Sequence, residues 1–503
     1  LLFSLKWGYL SIINAMHPFE KHIGSFRLII ASLVIMMLLC PGITPSAKAQ
    51  NITISEEIVL RNDYSYTILG WVRDDLLLFR DKGHQFFVQA YDHDLHLKWE
   101  REVYLGESRA DIIGVLAHED RFHILYGMRD RGDYKLFHRA YNQDITLIDT
   151  STVATFPDVF MVPRVFFKES DDKTKVLLYK EENKSLRVIS YDLVNKSLLW
   201  NKAFDLNGAI LEDEFRSILI NNEGDFFLTL RPEKNQYRNQ YLHIFTNQAG
   251  QIPVIHDTLR LGNIEILDLY PAYDHVQHNL VISGMYGDRN TARAKGFYFI
   301  RYRNGDPAQL HFLPFDENLL SEVSGRDASL SRGLSDFRVQ NIAVRQDGGA
   351  VVIAELIKEF SRRSSLPMQQ DNGLYARDGW VDYYFEDLIL FAVNPDGTEH
   401  WKEVLRKRQY SQDDGAVFSS FLLFKTPERL RFLFNDEIKQ ENTVGGYEVN
   451  GVGYTERKTV FNTDYQKLKL RFRDGIQLSN DECIIPSERN NRLSLVRIRF
   501  DES

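Results

Sequence analysis

Four short strand-like segments, with a turn between each pair, follow one another in residues 66–105, YTILGWVRDDLLLFRDKGHQFFVQAYDHDLHLKWEREVYL. Within the segments apolar and polar residues alternate with a period of two, which is typical of half-buried β-strands and not of an amphipathic helix. The pair Tyr91 and Asp92 ends the third segment, and Trp99 opens the fourth. This stretch therefore predicts one antiparallel unit of four strands.

The same unit returns along the chain. Residues 176–206, VLLYKEENKSLRVISYDLVNKSLLWNKAFDL, place Tyr191 and Asp192 before Trp200, and a third copy, LILFAVNPDGTEHWKEVL, contains Trp401. Weaker copies are present elsewhere, so that the third strand carries an aromatic residue near its end at Tyr91, Tyr141, Tyr191, Phe245 and Tyr302. These positions are spaced by 50, 50, 54 and 57 residues. A repeat of this length is typical of propeller blades.

A single unit of this kind cannot bury both faces of its own sheet, and one sheet of about thirty strands would split or curl. A radial arrangement around an axis buries each sheet against its two neighbours and leaves only short strand edges. The sequence therefore predicts an all-β fold, a β-propeller of four-stranded blades, with eight blades favoured and seven as the alternative. The eight units are residues 64–105, 110–157, 162–206, 213–261, 264–314, 336–405, 418–473 and 475–500, the last completed by residues 52–60.

The order of a third strand, an Asp or Asn, a turn and a Trp resembles the repeat of the quinoprotein-like (PQQ-repeat-like) β-propeller superfamily. Units of that superfamily carry a small residue and Asp, then a Thr-Gly turn, then Trp. Three units here, YDHDLHLKW, YDLVNKSLLW and VNPDGTEHW, keep the Asp or Asn and the Trp but lack the Thr-Gly pair. The superfamily includes cofactor-dependent dehydrogenases and non-catalytic outer-membrane assembly scaffolds. The resemblance, over about residues 60–500, thus implies the fold and leaves the chemistry open.

The composition is that of a folded, acidic protein. Of the 503 residues, 44% are hydrophobic and 26% are charged, which argues against wholesale disorder and against many membrane spans. The formal net charge is -9 and Lys and Arg form no long block, so a nucleic-acid partner is not expected. The only cysteines are Cys40 and Cys483, and Cys40 lies in a segment that we expect to be removed. No internal disulfide bond is therefore expected.

The N-terminal residues carry the features of a secretory signal peptide. The apolar run LIIASLVIMMLL, residues 28–39, follows basic residues and precedes the small-residue site Ala47-Lys48-Ala49. This run is shorter than the roughly 20 apolar residues of a transmembrane helix. We expect translation to start at Met16 and cleavage to follow Ala49.

These features lead to a prediction of domains and location. Residues 1–49 are predicted to be an untranslated leader and the signal peptide, and residues 50–503 a single propeller domain. The protein is expected to be exported, either periplasmic or secreted. Lipid anchoring at Cys40 is not expected, because the bulky Leu39 stands before it where the lipidation peptidase requires a small residue.

Two polar insertions interrupt the rhythm of the units, at residues 315–335 and 360–386. Both are longer than a strand connection needs to be, which favours a functional role. The second combines Arg and aromatic side chains, which are enriched at binding hot spots. The predicted binding residues are Arg362, Arg363, Tyr375, Arg377, Trp380 and Tyr383, with Tyr384 beside them. In the alternative interpretation these aromatic side chains pack back onto the sixth unit.

Motifs of known catalytic sites are absent from the sequence: it has no GxSxG elbow, no HExxH and no phosphate-binding glycine loop. His275 and His278 form an H-x2-H pair without a third ligand near in sequence, so neither a metal nor a cofactor is predicted.

We therefore predict a monomeric, non-catalytic propeller that binds a protein or carbohydrate-like ligand of the cell envelope through loops on one face. The alternative is an enzyme with a site in the axial channel, either a quinoprotein-like dehydrogenase or a polysaccharide hydrolase or lyase.

Overall fold

The computed structural model describes residues 51–106, 109–157, 161–182, 185–206, 216–230, 240–248, 254–262, 264–288, 291–324, 333–363, 379–436, 438, 443–463 and 467–500. The described chain begins with two short strands, β1 (Asn51–Ile54) and β2 (Ile58–Val59). From there it forms eight antiparallel sheets in succession, which we number as blades one to eight. The predicted all-β, eight-bladed propeller is therefore confirmed.

Blades one to four each contain four strands in chain order. Blade one is β3 (Ser65–Val72), β4 (Asp75–Asp81), β5 (Phe86–Tyr91) and β6 (Leu97–Val103). Blade two is β7 (Ala110–His118), β8 (Arg121–Asp130), β9 (Asp133–Asn142) and β10 (Leu147–Phe156). Blade three is β11 (Phe166–Glu169), β12 (Lys175–Glu182), β13 (Ser185–Asp192) and β14 (Ser197–Asp205). Blade four is β15 (Arg216–Ile220), β16 (Phe226–Leu230), β17 (Gln240–Asn247) and β18 (Ile255–Gly262).

Blades five to eight vary this plan. In blade five the first strand is divided into β19 (Ile264–Ile266) and β20 (Tyr270–Asp274), followed by β21 (Asn279–Asp288), β22 (Ala294–Tyr302) and β23 (Gln309–Pro314). Blade six is β24 (Phe337–Val344), β25 (Ala350–Arg363), β26 (Gly379–Val393), β27 (Glu399–Leu405) and β28 (Gln409–Gln412). Blade seven is β29 (Leu422–Lys425), β30 (Arg429–Asn435), β31 (Thr443–Asn450) and β32 (Thr455–Asn462). Blade eight follows a 3-10 helix (Phe472–Asp474) and is β33 (Ile476–Gln477), β34 (Glu482–Arg489) and β35 (Arg492–Arg499).

The core of the protein lies between the blades. One cluster of buried apolar side chains lies between each blade and the next, and the eight clusters together close the ring. In the cluster between blades eight and one, Ile484 and Leu493 pack with Leu76 and Tyr91. The alternation of apolar residues along each strand thus serves two neighbours, because each face of a blade covers a different sheet.

The ring closes by main-chain pairing of the N-terminal strands with the last strand. β1 and β2 both pair antiparallel with β35, with Asn51 opposite Arg499. Between them, the Ser55 N–H donates to Leu495 O at 2.9 Å and the Leu495 N–H donates to Ser55 Oγ at 2.8 Å. The predicted completion of blade eight by residues 52–60 is therefore confirmed.

The Asp or Asn of the repeated motif caps the turn after the third strand. Asp92 Oδ1 accepts the backbone N–H groups of Asp94 and His96 at 2.9 and 2.8 Å. The same double acceptance recurs at Asn142, Asp192 and Asn450. This local capping explains why the motif needs a short side chain with an acceptor oxygen.

The Trp of the motif joins neighbouring blades. Trp200 Nε1 of blade three donates to Gly224 O of blade four at 3.3 Å, and Trp401 Nε1 of blade six donates to Gly451 O of blade seven at 3.0 Å. Both indoles also pack against the apolar cluster between their two blades. Trp200 and Trp401 thus serve packing between blades.

The connections divide between two faces of the ring. Turns after the first and third strands, such as 92–96, lie on one face, the turn face. Connections after the second strand and between blades, such as 406–421, lie on the other, the connection face. The connection after blade five contains a helix, α1 (Glu317–Ser324), whose first turn is capped by Asp316. The sequence pattern did not indicate this helix, because two turns are too short to display a 3.6-residue period.

Candidate functional site

Residues 357–363, 379–387 and 409–412 form a three-stranded extension of blade six on the connection face, which we call the ribbon. β26 is its central strand, with β25 on one side and β28 on the other. The pairing of β24 with β25 ends at Leu356, and that of β27 with β26 ends at Leu388, so the ribbon continues past the body of the blade. At ~3.3 Å per residue, the additional length is roughly 20 Å.

A buried polar network holds the base of the ribbon. The Lys407 ammonium is fully buried and lies 2.7 Å from Glu355 Oε1, and it donates to Gln409 Oε1 at 2.8 Å and to Phe385 O at 3.0 Å. Ser420 Oγ donates to the other Glu355 oxygen at 2.6 Å. Burial lowers the pKa of Lys407, although the Glu355 carboxylate beside it acts in the opposite direction. The buried cation therefore has a carboxylate beside it and two hydrogen-bond acceptors, which offset the loss of its hydration.

The network continues into blade seven. Gln409 Nε2 donates to Asn435 O at 2.8 Å, and Asn435 Nδ2 donates to Phe418 O at 2.9 Å and to Leu470 O at 2.8 Å. The ribbon residues on this side that are buried are Phe385, Gln409 and Ser411. One face of the ribbon base is thus held against Ser419 and Ser420 and against blade seven.

The opposite face of the ribbon is aromatic. Residues paired across antiparallel strands share a face, so the register places Phe360, Trp380, Tyr384 and Tyr410 on one side together with Arg362. The Tyr384 ring centroid lies 5.8 Å from that of Phe360 and 5.0 Å from that of Tyr410. Phe360 is 51% exposed and Trp380 is 38% exposed. We call these five side chains the aromatic face.

A buried carboxylate orders the polar groups of the aromatic face. Arg362 Nε lies 2.5 Å from Asp382 Oδ2, and Tyr410 OH donates to Asp382 Oδ1 at 2.7 Å. Asp382 is buried although the Arg362 side chain above it is 56% exposed. The hydrogen bond to Asp382 raises the pKa of Tyr410, so its hydroxyl keeps the proton that it donates. The aromatic face thereby has a cation and a hydroxyl in fixed positions.

The structure brings together two of the predicted binding residues. Arg362 and Trp380 are directly opposite each other in the register of β25 and β26. Tyr383 pairs with Ser411 and therefore belongs to the other face of the ribbon. Outside the described parts of the chain lie Tyr375, Arg377 and the side chain of Arg363.

The described residues of the insertion at 360–386 are strand and not loop, because the main chain pairs across the ribbon whatever the polarity of the side chains. Three residues of the site were not predicted: Phe360, Asp382 and Tyr410. Period-two alternation through 358–362 and 380–384 was the signal that could have placed Phe360 and Asp382 beside Arg362. Tyr410 had no such signal, because it lies on a separate strand.

The two histidines of the H-x2-H pair have different surroundings. His275 Nε2 lies 2.9 Å from Asp171 Oδ2 of blade three, and the side chain of His278 is exposed in the same turn as His275. Within the described residues, no group of three or more His, Cys, Asp or Glu side chains is placed to hold a metal ion.

Among the described helices, none combines the length and the apolar composition needed to cross a membrane.

The similarity of this chain to known proteins is one of structure, at low sequence identity. No protein-family model matches the chain, and no curated protein matches its sequence. Among solved structures it is similar to the Dos1 propeller, at 8% identity over 88% of this chain and 94% of that one, with a TM-score of 0.44. BamB from Moraxella catarrhalis is 11% identical over 90% and 100% of the two chains, with a TM-score of 0.37. The uncharacterised lmo1340 from Listeria monocytogenes EGD-e is 10% identical over 71% and 84%, with a TM-score of 0.36.

Proposed function

We propose that this protein is an exported, non-catalytic β-propeller that binds a partner protein through the aromatic face of the ribbon. One observation carries the proposal: Phe360, Trp380 and Arg362 are exposed together on a projecting sheet whose other face is held against blade seven. Because the ribbon extends beyond the ring, a partner can contact the aromatic face without displacing a blade.

The composition of the aromatic face supports a protein partner. Trp, Tyr and Arg are the residues most enriched at hot spots of protein interfaces, where they bury much area at a small cost in side-chain entropy. Arg362 is already oriented by Asp382, and Tyr384 is packed between Phe360 and Tyr410. Ordering these groups before binding reduces the entropic cost of association.

Export is the part of the proposal that rests on sequence. The apolar run at 28–39, with basic residues before it and Ala47-Lys48-Ala49 after it, supports a signal peptide. A partner in the cell envelope or outside the cell is consistent with this location. N-terminal sequencing of the protein purified from an envelope or culture fraction tests it, and a chain that stays in the cytoplasm with residues 28–39 intact contradicts it.

The double variant Phe360→Ala/Trp380→Ala tests the binding surface. It removes two exposed rings and leaves the Arg362–Asp382 pair in place. Its matched control is Val452→Ala/Tyr454→Ala, which removes two exposed side chains from the turn face. Each protein is immobilised, exposed to envelope extract and analysed by quantitative mass spectrometry, and the partner is then purified for calorimetry.

We expect a partner that the wild type and the control retain and the ribbon variant loses. The affinity should fall by about 30-fold or more, which corresponds to hot-spot losses of about 2 kcal/mol. Equal affinities of the ribbon variant and the control for every captured protein would refute the proposal. A glycan array probed with the same three proteins tests the carbohydrate-like alternative. A glycan signal that the ribbon variant loses, with no protein partner captured, would favour that alternative.

A further inference from the structure

A cleft of 620 Å³ opens on the connection face where blade eight meets blade one. Its walls come from the segment that leads from β2 into β3, from the 3-10 helix region and from the turn between β34 and β35. The lining residues used below are Asn62, Asp63, Tyr64 and Tyr66 on one side, and Arg471, Asp474, Glu488 and Asn491 on the other. The volume is in the range of small-molecule sites, about 300–1,000 Å³.

The floor of the cleft is a connected polar cluster. Arg471 Nε lies 2.5 Å from Asp474 Oδ2, and Arg471 Nη1 donates to Glu488 Oε2. Tyr66 OH donates to the same Glu488 oxygen at 3.3 Å, and its ring centroid lies 5.8 Å from the Arg471 guanidinium carbon. The guanidinium therefore fixes two carboxylates, one from the 3-10 helix and one from β34.

An exposed aromatic ring forms the rim. Tyr64 is 81% exposed, and its backbone N–H donates to Asp81 O at 2.8 Å. Its ring packs so closely on Gly83 that a Cβ there would lie 2.5 Å from a ring carbon. The ring is thus held on one side by the backbone of blade one and is accessible on the other.

The charges of the cleft are largely compensated. Asp63 forms a buried, bidentate pair with Arg80, at 3.1 and 2.7 Å. Arg471 stands against Asp474 and Glu488, so one negative charge remains in excess. A ligand with its own negative charge would be repelled here, whereas a neutral ligand that donates hydrogen bonds would be favoured.

The remaining polar side chains are those of Asn62 and Asn491, whose amides both donate and accept hydrogen bonds. Hydroxyl groups match this set, because each can donate to a carboxylate and accept from an amide or guanidinium. From the volume, the exposed Tyr64 ring and this lining, we infer that the cleft is a binding site for a neutral, hydroxyl-rich ring, the chemistry of an uncharged sugar unit. The site does not depend on the proposed function, because the ribbon belongs to blade six.

The test uses three methyl glycosides as probes: methyl β-glucopyranoside, methyl N-acetyl-β-glucosaminide and the anionic methyl β-glucuronide. Saturation-transfer NMR and titration calorimetry are applied to the wild type, Tyr64→Ala and Tyr454→Ala. The last removes a 69% exposed ring from the turn face and is the matched control. Circular dichroism confirms that each variant is folded.

We expect at least one neutral glycoside to bind the wild type and Tyr454→Ala alike, and to bind Tyr64→Ala about 3- to 10-fold more weakly. The glucuronide should bind less tightly than the neutral probes. The inference is overturned if the wild type transfers saturation to none of the three probes. It is also overturned if Tyr64→Ala and Tyr454→Ala bind the probes equally, or if the glucuronide binds more tightly than the neutral probes. The ribbon variant Phe360→Ala/Trp380→Ala should bind the glycosides like the wild type, so failure of one proposal leaves the other standing.

Discussion

Acid should destabilise this protein through a pair of buried histidines between blades two and three. His123 Nδ1 lies 2.9 Å from His138 Nε2, and His138 Nδ1 lies 3.2 Å from Tyr191 OH. Ser151 Oγ lies 2.6 Å from the same hydroxyl. Burial lowers the pKa of His123 to about 3 and that of His138 to about 4, because a charged imidazole would lose its hydration in this interior.

The size of the effect follows from proton linkage. In the unfolded chain both imidazoles have a pKa of ~6.5, so below that pH the unfolded state binds protons that the folded state does not. At pH 5, which is ~1.5 units below 6.5 and still above both folded values, each histidine lowers the free energy of unfolding by about 2 kcal/mol. The pair should therefore cost about 4 kcal/mol between pH 7.5 and pH 5.

Urea unfolding at pH 7.5 and pH 5.0 measures this loss against the double variant His123→Gln/His138→Gln. Substitution of buried residues changes the free energy of unfolding at both pH values. The quantity compared between the proteins is therefore the difference in this free energy between pH 7.5 and pH 5.0. The wild type should lose about 4 kcal/mol more than the double variant on acidification. The surface variant His84→Gln should follow the wild type. If the wild type and the double variant lose the same free energy, the histidine pair is not the acid-sensitive element and the reasoning is refuted.

Two further predictions concern the buried carboxyl group of Asp268 and the ring closure. Burial raises the pKa of Asp268 to about 6, above the ~3.9 of the unfolded chain, so its stabilising contribution is present at low pH and is lost as the pH rises. Relative to Asp268→Asn, the wild type should lose about 2 kcal/mol in urea unfolding between pH 4 and pH 7, and a difference that does not change with pH would contradict this. Ser55→Ala removes the acceptor of the Leu495 N–H and should cost about 1–2 kcal/mol, with faster hydrogen exchange at that amide. Unchanged exchange at Leu495 would show that the closure does not depend on this bond.

Much of the fold could be predicted because its signals are local. The alternation in residues 66–105 determines which side chains face neighbouring sheets, and Asp92 caps a turn that begins at its own position. Such features recur with each unit, so the number of blades and their approximate bounds follow from spacing. The completion of blade eight by residues 52–60 was predictable for the same reason, since a strand without partners in its own unit must pair elsewhere.

The candidate sites were less predictable, because they depend on contacts between distant parts of the chain. Arg362 and Trp380 could be predicted from composition, yet the carboxylate that orients Arg362 was not recognised. Tyr410 reaches that carboxylate only because β28 pairs with β26 beyond the body of the blade. Tyr383 was assigned with Trp380, whereas odd and even positions of one strand face opposite sides.

The amino-acid sequence by itself determined the β-propeller architecture, since repeated alternation and turn capping act over a few residues. Only the tertiary structure decided which side chains share a surface. Tyr66 and Glu488 are 422 residues apart and meet because the ring closes between its first and last blades. Strand register and ring closure create such neighbours, and neither leaves a trace in local sequence, because the energy that selects them comes from burying whole sheets against one another.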